Sequence, residues 1–286
     1  MITSQYKNSD TIPDIGYSYN DFFIIPSEIS KISHRSECNP FVDEEISNND
    51  RGRFLPIFTA PMSTVVDKRS FEKYIDNKII PIVPRSMKDD RWDYLEAGYW
   101  VALSLEEFKE RFVDNEGPFT KTYRVLIDVA NGHMAILYDL VKQAKQNFER
   151  NKETFVKLIV MTGNIANPRT YFHAWEAGVD YIRCGIGSGE GCITSSNLGI
   201  HYPMATLIDR IYSTKIWYEK NGKIQKYDPP RIIADGGIRN YDDVIKALCL
   251  GANYVMIGGL FSRLAESPGP WYYEGYYEDS NSLFRL

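Results

Sequence analysis

The stretch Gly178-Val179-Asp180-Tyr181-Ile182-Arg183-Cys184-Gly185-Ile186-Gly187-Ser188-Gly189-Glu190-Gly191-Cys192-Ile193-Thr194 joins a short apolar run to a glycine-rich loop. Gly178 to Ile182 reads as a short buried strand. Gly185, Gly187, Gly189 and Gly191 let the backbone turn sharply, bringing N–H groups close to an anion or carbonyls close to a cation. Cys192 closes the loop, where a thiolate can be stabilised and can attack a substrate. Taken alone, the pattern is more often a glycine turn followed by a buried cysteine.

Outward from this stretch, short apolar runs recur between residues 55 and 257. They are Leu55–Thr59, Ile79–Val83, Tyr99–Leu103, Tyr123–Ile127, Val156–Val160, Tyr181–Cys184, Arg231–Ala234 and Tyr254–Ile257. Amphipathic stretches such as Met134–Arg150 and Tyr241–Leu250 lie between them, as helices would. Eight strand–helix alternations predict an α/β fold, a (β/α)8 TIM barrel, rather than an open sheet. Such barrels carry their active site at the C-terminal strand ends. Asp128, Asn164, Gly185 to Cys192, Asp235 and Gly258 all fall just after an expected strand.

Residues 1–286 are read as a single barrel domain. Residues 1–16 form a loose polar arm, 213–230 a polar insertion with the look of a surface hairpin, and 270–286 an aromatic-acidic tail. No helix is expected to cover the eighth strand, and no regulatory (CBS) domain fits between the early strands. The 286 residues carry a net charge of −5, with 43% apolar and 25% charged residues. That balance gives no footprint for nucleic acid or an acidic membrane surface. No apolar run reaches the roughly 18 residues of a membrane helix, and the polar N-terminus has no signal-peptide pattern. Cys38, Cys184, Cys192 and Cys249 have no metal-site spacing, so reduced thiols in the cytoplasm are the expectation.

Gly185-Ile186-Gly187-Ser188-Gly189 followed by Cys192-Ile193-Thr194 resembles the active-site loop of the IMP dehydrogenase and GMP reductase family. Tyr19 to Pro26, Ala60-Pro61-Met62-Ser63-Thr64-Val65, Asp128-Val129-Ala130-Asn131-Gly132, Gly163-Asn164, Ala234-Asp235-Gly236-Gly237-Ile238 and Val255-Met256-Ile257-Gly258-Gly259 resemble further segments of that family, in the same order. The resemblance implies a purine nucleotide oxidoreductase in which Cys192 attacks C2 of the purine and a nicotinamide, NADP or NAD, carries the hydride. By the same resemblance, Thr194 assists proton transfer, and Asp128, Val129, Ala130, Ile186 and Gly187 face the cofactor. Met62, Asn164, Asp235, Gly236, Gly237, Gly258 and Gly259 face a purine nucleoside monophosphate. The carbonyls of Gly187, Gly189 and Cys192 match a monovalent cation site, K+. A homotetramer is implied, or a companion chain supplying the C-terminal flap and last helix that the sequence lacks.

Residue chemistry agrees at two places. Asp235 can accept from both ribose hydroxyls while Gly236 and Gly237 let the backbone approach. Gly258-Gly259 after the last strand can offer N–H groups to a phosphate. Three positions depart from the family pattern. Glu190 stands where a phosphate-binding serine is expected, and a carboxylate beside a phosphate is repulsive unless turned away. Ala60 and Ser63 replace the Ser and Asp of the dehydrogenase pattern. Pro84-Arg85-Ser86 replaces a His-Lys-like pair. The Asp128 motif, Gly258-Gly259 and the missing regulatory insert resemble GMP reductase, whereas Tyr19 to Pro26 resembles IMP dehydrogenase more. A nucleotide-binding or split subunit without catalysis of its own stays open beside both.

Overall fold

The computed structural model describes residues 16–49, 51–187, 199–222, 226–269, 271–273 and 283–285. The expected arm, apart from Gly16, and the loop from Ser188 to Leu198 therefore lie outside the described residues.

Eleven strands are described: β1 Val42–Glu45, β2 Arg51–Phe54, β3 Ile57–Thr59, β4 Trp100–Leu103, β5 Tyr123–Ile127, β6 Leu158–Ile165, β7 Tyr181–Cys184, β8 Arg231–Asp235, β9 Tyr254–Ile257, β10 Trp271–Tyr273 and β11 Leu283–Arg285. Seven of them form one parallel sheet in the order β3-β9-β8-β7-β6-β5-β4. Its helices are α1 Lys68–Asp76, α2 Asp90–Ala97, α3 Leu105–Phe112, α4 Ala135–Asn151, α5 Thr170–Ala177, α6 Met204–Asn221, α7 Tyr241–Cys249 and α8 Gly259–Ser262. Parallel neighbours need crossover helices, which is the source of the alternation visible in the sequence.

Strand side chains alternate between two apolar layers. Phe58, Trp100, Ala102, Leu126, Met161, Tyr181, Ile233, Tyr254 and Met256 pack together on the inner face. Val101, Val125, Val160, Ile182, Ile232 and Val255 pack outward against helix residues such as Phe108, Val141, Tyr171 and Ile208. The sheet is curled: Phe58 on one edge strand and Trp100 on the other have ring centroids 5.8 Å apart, nearly perpendicular. Both rings also meet Tyr181 from the middle of the sheet, at 5.9 and 5.1 Å. The sheet and its helices fit a TIM-like fold.

The second expected strand differs from the expectation. Ile79–Val83 makes only single parallel bridges, Ile80 to Phe58 and Val83 to Val101. Pro81 interrupts the run and has no N–H for a ladder. The neighbouring Ile82 N–H donates instead to the Thr59 hydroxyl at 2.9 Å.

Two further differences concern connections. The 213–230 segment is not a hairpin over its first half, because α6 continues to Asn221. Lys215 and Lys220 of this segment lie on a helix whose buried residues include Met204, Leu207, Ile208 and Ile211. The tail contains a short antiparallel pair, Trp271–Tyr273 with Leu283–Arg285. After β9, among the described residues, the only helix is the four-residue α8.

An antiparallel hairpin, β1 with β2, underlies the N-terminal strand ends. Glu44 is buried there and accepts from Tyr181 Oη at 3.0 Å, Arg231 Nη1 at 3.1 Å and Tyr254 Oη at 2.5 Å. Burial, with the Glu44 carboxylate second, pushes the Tyr181 and Tyr254 hydroxyls well above the usual phenol range. Beside them Arg124 donates to Gly98 O at 2.9 Å and to Glu45 at 3.3 Å. With Arg51 also on Glu45, the floor pairs two carboxylates with three guanidinium groups.

Candidate functional site

The opposite end is organised around one inward-facing cation. In β7, Tyr181 faces the inner layer while Ile182 and Cys184 face the helices. Alternation puts Arg183 inside, beyond the aromatic layer. Its Nε and Nη2 reach the same oxygen, Asp235 Oδ2, at 2.9 and 2.8 Å. Its Nη1 reaches Asp128 Oδ1 at 3.4 Å. Asn164 Nδ2 donates to Asp235 Oδ2 at 2.8 Å and to Gly185 O at 2.8 Å. Four consecutive strands, β5 to β8, therefore deliver Asp128, Asn164, Arg183 and Asp235 to one cluster at their C-terminal ends. Asp128 follows its strand, whereas Asn164 and Asp235 are the last residues but one and the last of theirs.

Glycines set the spacing. A Cβ on Gly163, at φ +138°, would lie 2.5 Å from Arg183 O; one on Gly185, at φ +143°, would lie 2.1 Å from Asp235 O. These approaches bring β6, β7 and β8 close enough for the short side-chain bonds above. Gly258 closes on Ala60 and Met62, where a Cβ would sit 3.0 Å from Met62 Sδ and 3.2 Å from Ala60 Cβ. Met62 is exposed, and Gly236 and Gly237 both hold positive φ.

The cluster is rich in spare acceptors. Asp235 Oδ2 takes three donors, and among the described residues nothing donates to its Oδ1. Asp128 likewise has one oxygen engaged by Arg183. Asn164 donates both its bonds through Nδ2, which leaves its carbonyl oxygen available. Two carboxylates share one guanidinium, so the cluster is one negative charge in excess and suits ligands that present hydroxyl donors.

His133 braces the two loops beside it. Its Nε2 accepts from the Ala166 N–H at 3.1 Å, and its Nδ1 lies 2.9 Å from Thr170 Oγ1. The accepting Nε2 fixes the proton on Nδ1, and burial holds the imidazole below its ordinary range. A cavity of about 350 Å³ adjoins it, lined by Tyr138, Asp139, Lys142, Thr170, His173 and Glu176. It lies between α4 and α5, on the outside of the sheet and away from Asp235.

The structure thus brings Asp128, Asn164 and Asp235 together, seats Met62 against Gly258, and places Val129, Ala130, Ile186, Gly187, Gly236, Gly237 and Gly259 on adjoining strand-end turns. Cys192, Thr194, Gly189 and Glu190 lie outside the described residues. Of the proposed cation ligands only Gly187 is described, packed against Ile200 and His201. Cys184, eight residues before Cys192, is fully buried, and burial pushes its thiol up. Arg183 and His133 were not among the expected site residues. A charge in the inward register of an otherwise apolar strand was the legible sign of Arg183; His133 had none.

The cluster lies at the C-terminal strand ends of a curled parallel sheet, where proteins of the TIM-like class carry their sites. Residues 120–278, more than half of the chain, match the IMP dehydrogenase / GMP reductase domain, and the chain belongs to that family. It is 28% identical over 263 residues to a protein named GMP reductase from Oceanobacillus iheyensis, covering 88% of this chain and 72% of that one. It is 28% identical over 261 residues to a GMP reductase from Staphylococcus saprophyticus, with the same two coverages. A GMP reductase from Streptococcus pyogenes is 29% identical over 262 residues, again covering 88% and 72%. Among the described residues no helix is long and apolar enough to cross a membrane.

Proposed function

We propose that the chain is a GMP reductase-like purine nucleotide oxidoreductase, which removes the 2-amino group of GMP reductively to give IMP. The observation that carries the reading is the Asp128–Arg183–Asp235–Asn164 cluster, with its spare acceptor oxygens, at the strand ends of a chain similar to GMP reductases.

In this reading the free Asp235 Oδ1 and the Asn164 carbonyl accept from the ribose hydroxyls. Gly236, Gly237, Gly258 and Gly259 leave the backbone open to the nucleotide, and Met62 lies beside the base. The Cys192 thiolate adds to C2 of the purine, splitting one difficult displacement into two easier steps. Ammonia then leaves, and Thr194 assists the proton transfers. The turn Asp128-Val129-Ala130, with Ile186 and Gly187, would hold the ribose and carboxamide of a nicotinamide dinucleotide. That group, NADPH here, supplies the hydride that replaces the sulfur. Potassium on the carbonyls of Gly187, Gly189 and Cys192 belongs to the same reading.

The bridges of Ile80 and Val83 to the two edge strands support a closed eight-strand barrel as the scaffold. Exposed Phe23, Ile25 and Ile29 support self-association, and the free thiols of Cys38, Cys184 and Cys249 suit the cytoplasm.

The test is intact mass after incubation with GMP and NADPH, or with IMP and NAD, with nicotinamide absorbance followed in the same samples. NADPH consumption with GMP, abolished in Cys192→Ala, is the expected result. Turnover only with IMP and NAD would make the chain a dehydrogenase. No adduct and no hydride transfer with either pair, from folded protein, would contradict an enzymatic role for the chain alone.

A further inference from the structure

Arg183 has no ligand-facing role in the reading above, yet among the described residues it is the one group that touches both of its carboxylates. It is itself almost wholly buried, and its backbone is pinned by the close approach of Gly163. It engages one oxygen of Asp235 through two nitrogens and one oxygen of Asp128 through a third. Among the described residues nothing donates to the second oxygen of either carboxylate. Without the guanidinium, two like charges would face each other across the strand ends, and each carboxylate would be free to rotate away.

We propose that Arg183 is a positioning residue that sets the free oxygens of Asp128 and Asp235 in one frame, so that a single side chain governs binding at both the nucleotide end and the dinucleotide end of the site. The proposal rests on the GMP reductase-like reading for the identity of the two ligands. Its content is the division of labour: each carboxylate serves one ligand, and Arg183 serves both by acting through them. Lysine is an imperfect substitute, because its compact ammonium lacks the planar fork by which Nε and Nη2 hold Asp235 while Nη1 reaches Asp128. It would follow Asp235, where the bonds are short, and release Asp128.

Calorimetric titration of the full chain with GMP and, separately, with NADP+ tests this. Asp235→Asn is expected to weaken GMP alone, and Asp128→Asn to weaken NADP+ alone. Arg183→Met should weaken both by about 10-fold or more. Arg183→Lys, which keeps a cation at the site, should weaken NADP+ more than GMP; it decides the matter where Arg183→Met does not fold. In the Asp128→Asn, Asp235→Asn background, Arg183→Met should cost little further affinity. Wild-type binding of both ligands by Arg183→Met and Arg183→Lys would overturn the proposal. So would a full 10-fold cost in the double-carboxylate background, because Arg183 would then be touching ligand directly. Failure of the wild-type chain to bind either ligand would instead overturn the functional reading, and the proposal with it.

Discussion

The two ends of the curled sheet use the same residue types to opposite effect. At the floor, Glu44 and Glu45 meet Arg231 and Arg124, and the Tyr181 and Tyr254 hydroxyls complete the shell of Glu44. At the strand ends, among the described residues, Asp128 and Asp235 share Arg183, and nothing donates to the second oxygen of either. The buried Glu44 is satisfied by the protein's own groups, as buried polar groups must be in a stable core. Among the described residues the other end is left short of donors, and in the proposed reading a ligand completes it. In that reading the same chemistry serves stability at one end and recognition at the other.

The comparison breaks most visibly where backbone, not side chain, sets the spacing. Gly185→Ala would place a Cβ against Asp235 O at a positive φ. It is expected to cost about 2–4 kcal/mol in strain and overpacking, read by chemical denaturation, together with loss of nucleotide binding. If it were as stable as the wild type, the close approach of β7 to β8 would not be required.

Glu44→Gln attacks the floor alone. It removes the charge that Arg231 and both tyrosines address, and about 2–3 kcal/mol of stability should go with it, while affinity for GMP stays unchanged in the folded protein. Asp235→Asn does the reverse. Stability should shift by less than about 1 kcal/mol, because two like charges become one, while GMP affinity falls about 10-fold. Equal losses of both properties in both variants would erase the distinction between the two ends.

The smallest effect concerns His133. Burial lowers its pKa in the folded state from 6.5, so the unfolded chain binds the proton more readily. Its contribution to stability is complete above about pH 6.5 and is lost as the pH falls below that value. Protonation also removes the acceptor used by the Ala166 N–H. A loss of about 1 kcal/mol or less is expected, absent in His133→Gln. Denaturation midpoints measured at several pH values would show it.

Most of the sheet was legible because parallel strands covered on both faces are continuous apolar runs, and seven of the eight runs became strands of one sheet. Pro81 broke the remaining run, Ile79–Val83, and its missing donor is visible in the sequence once pairing is considered. The β1–β2 hairpin was missed because Val42-Asp43-Glu44-Glu45 and Arg51-Gly52-Arg53-Phe54 are charged. Their strand character depends on one another and on the floor rather than on local propensity. The 213–230 segment looked like an insertion because a long helix with one buried side shows mostly polar residues at its far end. Asp128, Asn164 and Asp235 were readable from motif and strand position. Arg183 was not singled out, since its meaning lies in partners 55 and 52 residues away.

The most direct measurement is GMP affinity by calorimetry for wild type, Glu44→Gln and Asp235→Asn, at a temperature where all three are folded. The account predicts that Glu44→Gln binds as the wild type does, despite its lower melting temperature, and that Asp235→Asn loses about 10-fold. Wild-type affinity in Asp235→Asn, or an equal loss in Glu44→Gln, would contradict a ligand site at the C-terminal strand ends.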